Sequence, residues 1–365
     1  LVQFERLAFT PSARILMPEP HSGPEFLGPL AAMGAFLLTG LGMHTSQTAG
    51  LALATDLATE ETRPRVVALL YLMLLVGMIG SALIFAFLLA DFDYIRLIQM
   101  IQGAAVVTLG LNVFAMWRQE ARRPDLTTHD RSRPSFFKAW QKFIELPRAG
   151  RLLFALGIGT VAFAMQDILL EPYGAQILGL SVSGTTLLTA MFAGGMVLAL
   201  LMTSRSLGRG TDPILIASVG VLVGVAAFFA VSFSALIDST QLFQMGAVLI
   251  GFGHGLFAVG MLTAAMVFGG KEMAGLTLGA WGAVQATATG VAVFSGGAIR
   301  DLVSNWGEMG LLGIAMRSPA AGYLSVYVFE IALLFLALAS LGPLARRVTA
   351  SAESRDGLKL VDFPN

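Results

Sequence analysis

The sequence predicts an all-α, polytopic membrane protein built as a two-half helical bundle. Three observations carry that reading. Of 365 residues, 56% are hydrophobic and 13% charged, a charged fraction about half that of a typical soluble domain. Apolar runs of twenty or more residues recur along the chain, long enough to cross a hydrocarbon core of about 30 Å as helices. Basic residues, balanced by acidic ones to zero net charge, fall almost entirely on alternate loops, as the positive-inside rule requires.

Taken in order, residues 1–17 read as a partial or displaced helix, interrupted by Glu5, Arg6 and Arg14. Clearer spans follow at about 26–54, 65–90, 96–117, 151–171, 183–203, 213–234, 241–268, 275–299 and 323–345. Six of these come after the long polar stretch 118–149, and only three and a fraction before it. The imbalance predicts a six-plus-six architecture whose first two helices precede this sequence, which does not start with Met. The domain boundaries follow: an incomplete N-terminal half (1–117), a cytoplasmic linker (118–150), a six-helix C-terminal half (151–345) and a cytoplasmic tail (346–365). With the linker in the cytoplasm, 18 of the 23 Lys and Arg residues lie on the cytoplasmic side. The opposite face keeps Arg96, Arg300 and Arg317, and residues 1–17 hold the other two.

Inside the linker, PSFFKAWQKFIELPR places Phe136, Phe137, Trp140, Phe143 and Ile144 on one helical face and Lys138 and Lys142 towards the other. That pattern predicts an amphipathic helix in the membrane interface, with partner docking as the alternative. An internal repeat supports the two halves. GLGMHTSQTAG (40–50) and GFGHGLFAVGM (251–261) share G-x-G, and each lies 22 or 23 residues before the next span.

Polar residues inside apolar runs are the candidates for function. Gly40, His44, Gln47 and Thr48 share one helical face. His44 could ligate the metal of a tetrapyrrole through a neutral imidazole nitrogen, or hydrogen-bond a neighbouring helix. His254, within GFGHG, carries the same pair of readings, and Gly251 and Gly255 read as helix-packing residues. In AMQDILLEPYG, Asp167 falls about 24 Å along its span and Glu171 about 30 Å, with Pro172 ending the helix behind them. Asp167 therefore needs a partner or a proton; proton coupling, a gate contact, a hydrogen bond to a cargo group and a structural bond to another helix end all stand as readings. The loop SRSLGRGTD (204–212) sets topology or lets Arg205 and Arg209 cap the preceding helix.

Several chemistries find no support. No phosphate-binding G-x-x-x-x-G-K-[ST] and no H-E-x-x-H occurs, and without cysteine there are neither disulfides nor thiolate metal sites. The one D-x-D, Asp91 and Asp93, lies on the wrong face for a cytoplasmic magnesium–diphosphate site. The expectation is a protein that is not an enzyme and does not bind nucleic acid.

Four segments, GMHTSQTAGLALATDLATEETRPRVVALLY (42–71), IQGAAVVTLGLNVFAMWRQEARRP (101–124), MQDILLEPYG (165–174) and LGAWGAVQATATG (278–290), resemble the PucC/LhaA family. The resemblance runs from about Gly23 to the last helix, and the basic loop 204–212 is similar to the one between the eighth and ninth helices of major facilitator proteins, the superfamily concerned. It implies a major-facilitator-like bundle in the inner, photosynthetic (intracytoplasmic) membrane of a phototrophic bacterium. It further implies a chaperone-like assembly factor for light-harvesting complexes, binding bacteriochlorophyll and delivering it to antenna α and β polypeptides. Reaction-centre or pigment-synthesis complexes are further expected partners, and lipids further ligands. On that reading His44 and His254 are the candidate magnesium ligands, Gln47, Gln166 and Gln285 the polar second choices, and Asp167 and Glu171 gating or proton-linked residues. The competing expectations are a proton-coupled facilitator exporting a small solute and a pigment-free scaffold for antenna polypeptides.

Overall fold

The computed structural model describes residues 63–117 and 148–356, with separate positions between 30 and 53 and between 140 and 145. Every regular element among them is helical. We number the helices α1 (Arg63–Leu88), α2 (Tyr94–Met116), α3 (Ala149–Ala164), α4 (Leu170–Ile177), α5 (Val182–Gly208), α6 (Pro213–Leu236), α7 (Thr240–Glu308) and α8 (Ala321–Asp356). Short 3-10 turns occupy Met165–Ile168 and Ile314–Arg317. Eight segments among the described residues are long and apolar enough to cross a membrane. They match the eight expected from residue 65 onward, so the chain is a polytopic, all-α membrane protein. The expected span 26–54 falls largely outside the described residues, as do the segment 1–17 and most of the linker.

The chain divides into two compact units, residues 1–74 with 93–103 and residues 75–92 with 104–365. The described backbone of the first is helical over 37–43 and 63–74. In the second, α7 packs against α3, α5, α6 and α8, and α8 also packs on α3 and α6. Lipid tails are as apolar as leucine, so these contacts rest on close fit rather than on exclusion of water. Small residues provide the fit. A Cβ at Gly253 would stand 2.7 Å from the Gly220 carbonyl oxygen, and one at Gly220 2.6 Å from that of Gly253. Alanine at either position would force α6 and α7 apart. Large apolar side chains such as Phe87, Phe114 and Phe294 are exposed, as befits surfaces facing acyl chains rather than water.

Three local expectations are corrected. Residues 269–274, expected as the loop between two spans, carry helical backbone instead of an open loop, yet they still join two separate spans. The helix nevertheless doubles back, because a Cβ at Gly159 would meet Phe257 and one at Gly157 would meet Val284. A straight helix would hold Phe257 and Val284 about 40 Å apart. We therefore treat Thr240–Phe268 and Leu276–Glu308 as the first and second limbs of α7. Secondly, no side-chain bond from Arg205 or Arg209 closes α5. The amides of Gly210 and Thr211 bond the carbonyls of Leu207 and Ser206, with Gly210 at φ +83°. This is a Schellman closure, in which glycine takes the left-handed conformation without a Cβ penalty. Asp212 then caps α6 through the Ile214 amide at 2.8 Å, with Pro213 at its first position.

Pro172 is the third correction. It does not end a helix; it lies in the first turn of α4, where the missing N–H has no intrahelical partner to lose. A continuous helix through this point would need that N–H for the carbonyl of Ile168. The chain instead leaves α-helix at Ala164, turns through Met165–Ile168, and restarts at Leu170. Of the linker, Trp140 is partly buried against Ala149 and Ala280, so this aromatic faces protein.

Candidate functional site

Buried polar side chains meet at the break between α3 and α4. Broken helices free backbone groups inside a membrane and mark the binding sites of many transporters. Here the second limb of α7 presses on the break: a Cβ at Gly296 would lie 2.6 Å from the Met165 carbonyl oxygen. Gln166 is buried, and its Nε2 donates to Asp167 Oδ1 at 2.6 Å and to the Phe163 carbonyl at 3.4 Å. Its Oε1 is buried with no hydrogen-bond partner. Asp167 has exposed surface, so it forms the outer edge of this cluster within the span Ala149–Ile168.

Behind that edge stands Glu330 of α8, with no exposed surface and neither carboxylate oxygen hydrogen-bonded. Its electrostatic neighbours are the backbone of Gln166 and the Asp167 carboxylate. Tyr323, Tyr327 and Glu330 follow at i, i+4 and i+7 and share one face of α8. Tyr173 of α4 meets both tyrosine rings edge-on, with centroids 5.4 Å apart in each case. Tyr327 is fully buried and its hydroxyl has no partner. Tyr323 donates to Gln176 Oε1 at 2.7 Å, and Arg300 donates to Gln176 Oε1 at 3.1 Å and to the Tyr323 oxygen at 2.9 Å. Arg300 also pairs with Asp301 at 2.6 Å and lies over the Tyr323 ring, 4.8 Å from its centroid.

His254 lies apart from this cluster on the first limb of α7. Its half-buried ring stacks on Phe163 with centroids 5.2 Å apart and planes 8° from parallel, and Phe192 stands 6.0 Å away. Its Nδ1 is buried without a partner. The flanking glycines are packing residues: Gly251 and Gly255 touch α5, at Phe192 and Met196. A separate apolar groove of about 400 Å³ opens on the side of the bundle between α3 and the second limb of α7. Phe154, Gly157, Val161, Val284, Ala288 and Val291 line it, with Thr287 its polar member.

The sequence candidates thus separate. Gln166 and Asp167 are bonded to each other. Glu171 is tied to α5, accepting from Thr189 Oγ1 at 2.8 Å. Gln285 is half-buried on the second limb, one residue beyond Val284 of the groove. His44 and Gln47 lie outside the described residues. Sequence reading missed Glu330, although the signal was available: it is the one acidic residue in Ala321–Ala345, and an ionisable group in a span is a functional candidate by default.

Comparison with known proteins adds identity to this geometry. The family model described as PUCC protein matches residues 1–349. The uncharacterized protein in the puhA-bchM intergenic region of Rhodobacter capsulatus is 49% identical over 373 residues, covering 100% of this chain and 77% of the relative. Protein PucC of Rhodovulum sulfidophilum is 48% identical over 309 residues, covering 83% of this chain and 68% of the relative. A more distant relative, the bacteriochlorophyll synthase 44.5 kDa chain of Rhodobacter capsulatus, is 28% identical over 75% of this chain and 65% of its own length. A family match over nearly the whole chain, joined by two relatives at almost half identity, leaves one conclusion: the chain belongs to the PUCC protein family.

Proposed function

We propose that the protein is an assembly factor for bacterial light-harvesting complexes, holding bacteriochlorophyll at the membrane-embedded bundle and delivering it to antenna α and β polypeptides. Its place of action is the photosynthetic inner membrane, with the 118–150 linker and the tail in the cytoplasm. The observation that carries this reading is the PUCC match over residues 1–349. A relative named as a bacteriochlorophyll synthase chain supports the pigment, and so does the chemistry of the bundle. His254 offers an imidazole held flat on Phe163 with one nitrogen unpartnered, a donor suited to magnesium or to a ring substituent. The groove between α3 and α7 is apolar and large enough for part of a prenyl tail. His44, Gln47 and Gln285 are further candidate contacts, and Gln166 with Asp167 would meet polar ring substituents at the outer edge. Bound pigment would supply the light-absorbing macrocycle; the chain's own residues bind it, orient it and keep water from it.

The test is purification from a phototrophic host. Copurifying pigment with near-infrared absorbance, weakened in His44→Ala and His254→Ala, is the expected result. A pigment-free protein that still restores antenna assembly to a strain lacking it would overturn pigment delivery in favour of a scaffold.

A further inference from the structure

Glu330 has no part in the pigment reading, yet among the described residues it is the one acidic or basic side chain that is fully buried. Its side chain has no exposed surface, neither carboxylate oxygen makes a hydrogen bond of good geometry, and the one donor beside it is the backbone of Gln166. At membrane depth an ionised carboxylate in that state is far costlier than a neutral carboxylic acid. It could be compensated by a basic partner, a bound cation or a proton, and the surrounding elements decide among these.

No charged side chain occurs in α6, and that of α3 is Arg151, in its first turn and far from the break. The nearby cation on α7, Arg300, commits its Nη atoms to Asp301, Gln176 and Tyr323. His254 on the same helix is stacked on Phe163. Glu171 on α4 is held by Thr189, and Tyr173, Tyr323 and Tyr327 are phenols. The charged neighbour that remains is Asp167, itself an acid. A cation would need an entry path to a carboxyl with no exposed surface; a proton needs only a neighbouring oxygen.

We propose that Glu330 is a proton-binding site, loaded and unloaded through Asp167. Glu330 is a neutral acid in this conformation. In unloading, its O–H bond breaks, an O–H bond forms on the Asp167 carboxylate, and Asp167 releases the proton to water at the outer edge. Gln166, bonded to Asp167 through Nε2, positions the acceptor. Unloading leaves a bare carboxylate in closed packing, so it goes together with loosening of the α3–α4 break, where Gly296 now sits against Met165. The site stands whether or not the protein holds pigment.

Infrared difference spectroscopy on the full chain in lipid, across a pH series and on transfer to heavy water, tests this. The expected result is a protonated-carboxyl carbonyl band that titrates, disappears in Glu330→Gln, and persists in Asp167→Asn with slowed hydrogen–deuterium exchange. If Glu330→Gln does not fold, glutamate labelled with carbon-13 in the wild-type chain identifies the same band by its isotope shift. No glutamate carbonyl band, or one unchanged in Glu330→Gln, would overturn the proton site. Unchanged exchange in Asp167→Asn would overturn the path through Asp167.

Discussion

Two alanine substitutions in one helix should move stability in opposite directions. Gly251 and Gly279 both lie in α7. A Cβ at Gly251 would collide with the Phe192 carbonyl, 2.7 Å from its carbon, whereas a Cβ at Gly279 would meet nothing within 4 Å. Replacing glycine by alanine in a helix interior gains about 0.8–1.0 kcal/mol through backbone entropy, and that gain is common to both. Only Gly251→Ala carries the cost of overpacking, about 1–3 kcal/mol, and its upper end applies because the obstacle is backbone on α5. Gly279→Ala should therefore be stabilised by up to about 1 kcal/mol, and Gly251→Ala should lie about 3 kcal/mol below it, a net loss against wild type. Denaturant unfolding of the purified chain in mixed micelles, followed by tryptophan fluorescence, reads the difference. Equal stabilities, or a more stable Gly251→Ala, would refute close packing of α5 on α7.

Phe163 is fully buried and contacts the rings of His254, Phe228 and Phe257; Phe163→Ala should cost about 3–5 kcal/mol in the same assay, and a loss below about 1 kcal/mol would remove the aromatic support assigned to His254. Gln176→Ala takes the shared acceptor from Arg300 and Tyr323 and should cost about 0.5–1.5 kcal/mol. Gln176→Glu should restore that stability, since a carboxylate accepts the same bonds, and failure to do so would mean that the network contributes nothing. The sequence has no cysteine, so single cysteines report topology cleanly. Ser204→Cys should react with an impermeant maleimide from the cytoplasmic side and Ser318→Cys from the opposite side; the reverse pattern would invert the assignment.

The helices were legible because crossing a membrane demands about twenty apolar residues, and runs such as 213–234 have few alternatives. Asp212 followed by Pro213 is a helix-start signature that the reading of the loop 204–212, drawn to its arginines, left unused. What stayed hidden depends on contacts between helices. GFGHG showed small residues, but only the packing shows Gly253 facing α6 while Gly251 and Gly255 face α5. Pro172 looked like a terminator because a proline inside an apolar run reads that way. The structure uses it to begin α4 and leaves Gln166 and Asp167 on a turn. Arg205 and Arg209 drew attention as charges near a helix end, whereas the closure came from Gly210. Glu330 was readable as a lone acid in an apolar span and was passed over. Its neighbours, Gln166 and Asp167, are more than 150 positions away in sequence, so the cluster itself had no local signal.

The central claim, that this bundle holds bacteriochlorophyll, is tested most directly by the near-infrared absorbance of the purified full chain from a phototrophic host. The account predicts pigment absorbance that copurifies with the protein and falls in His254→Ala while the Gly279→Ala protein keeps it. Folded protein with no pigment absorbance, from a host that is making pigment, would contradict it.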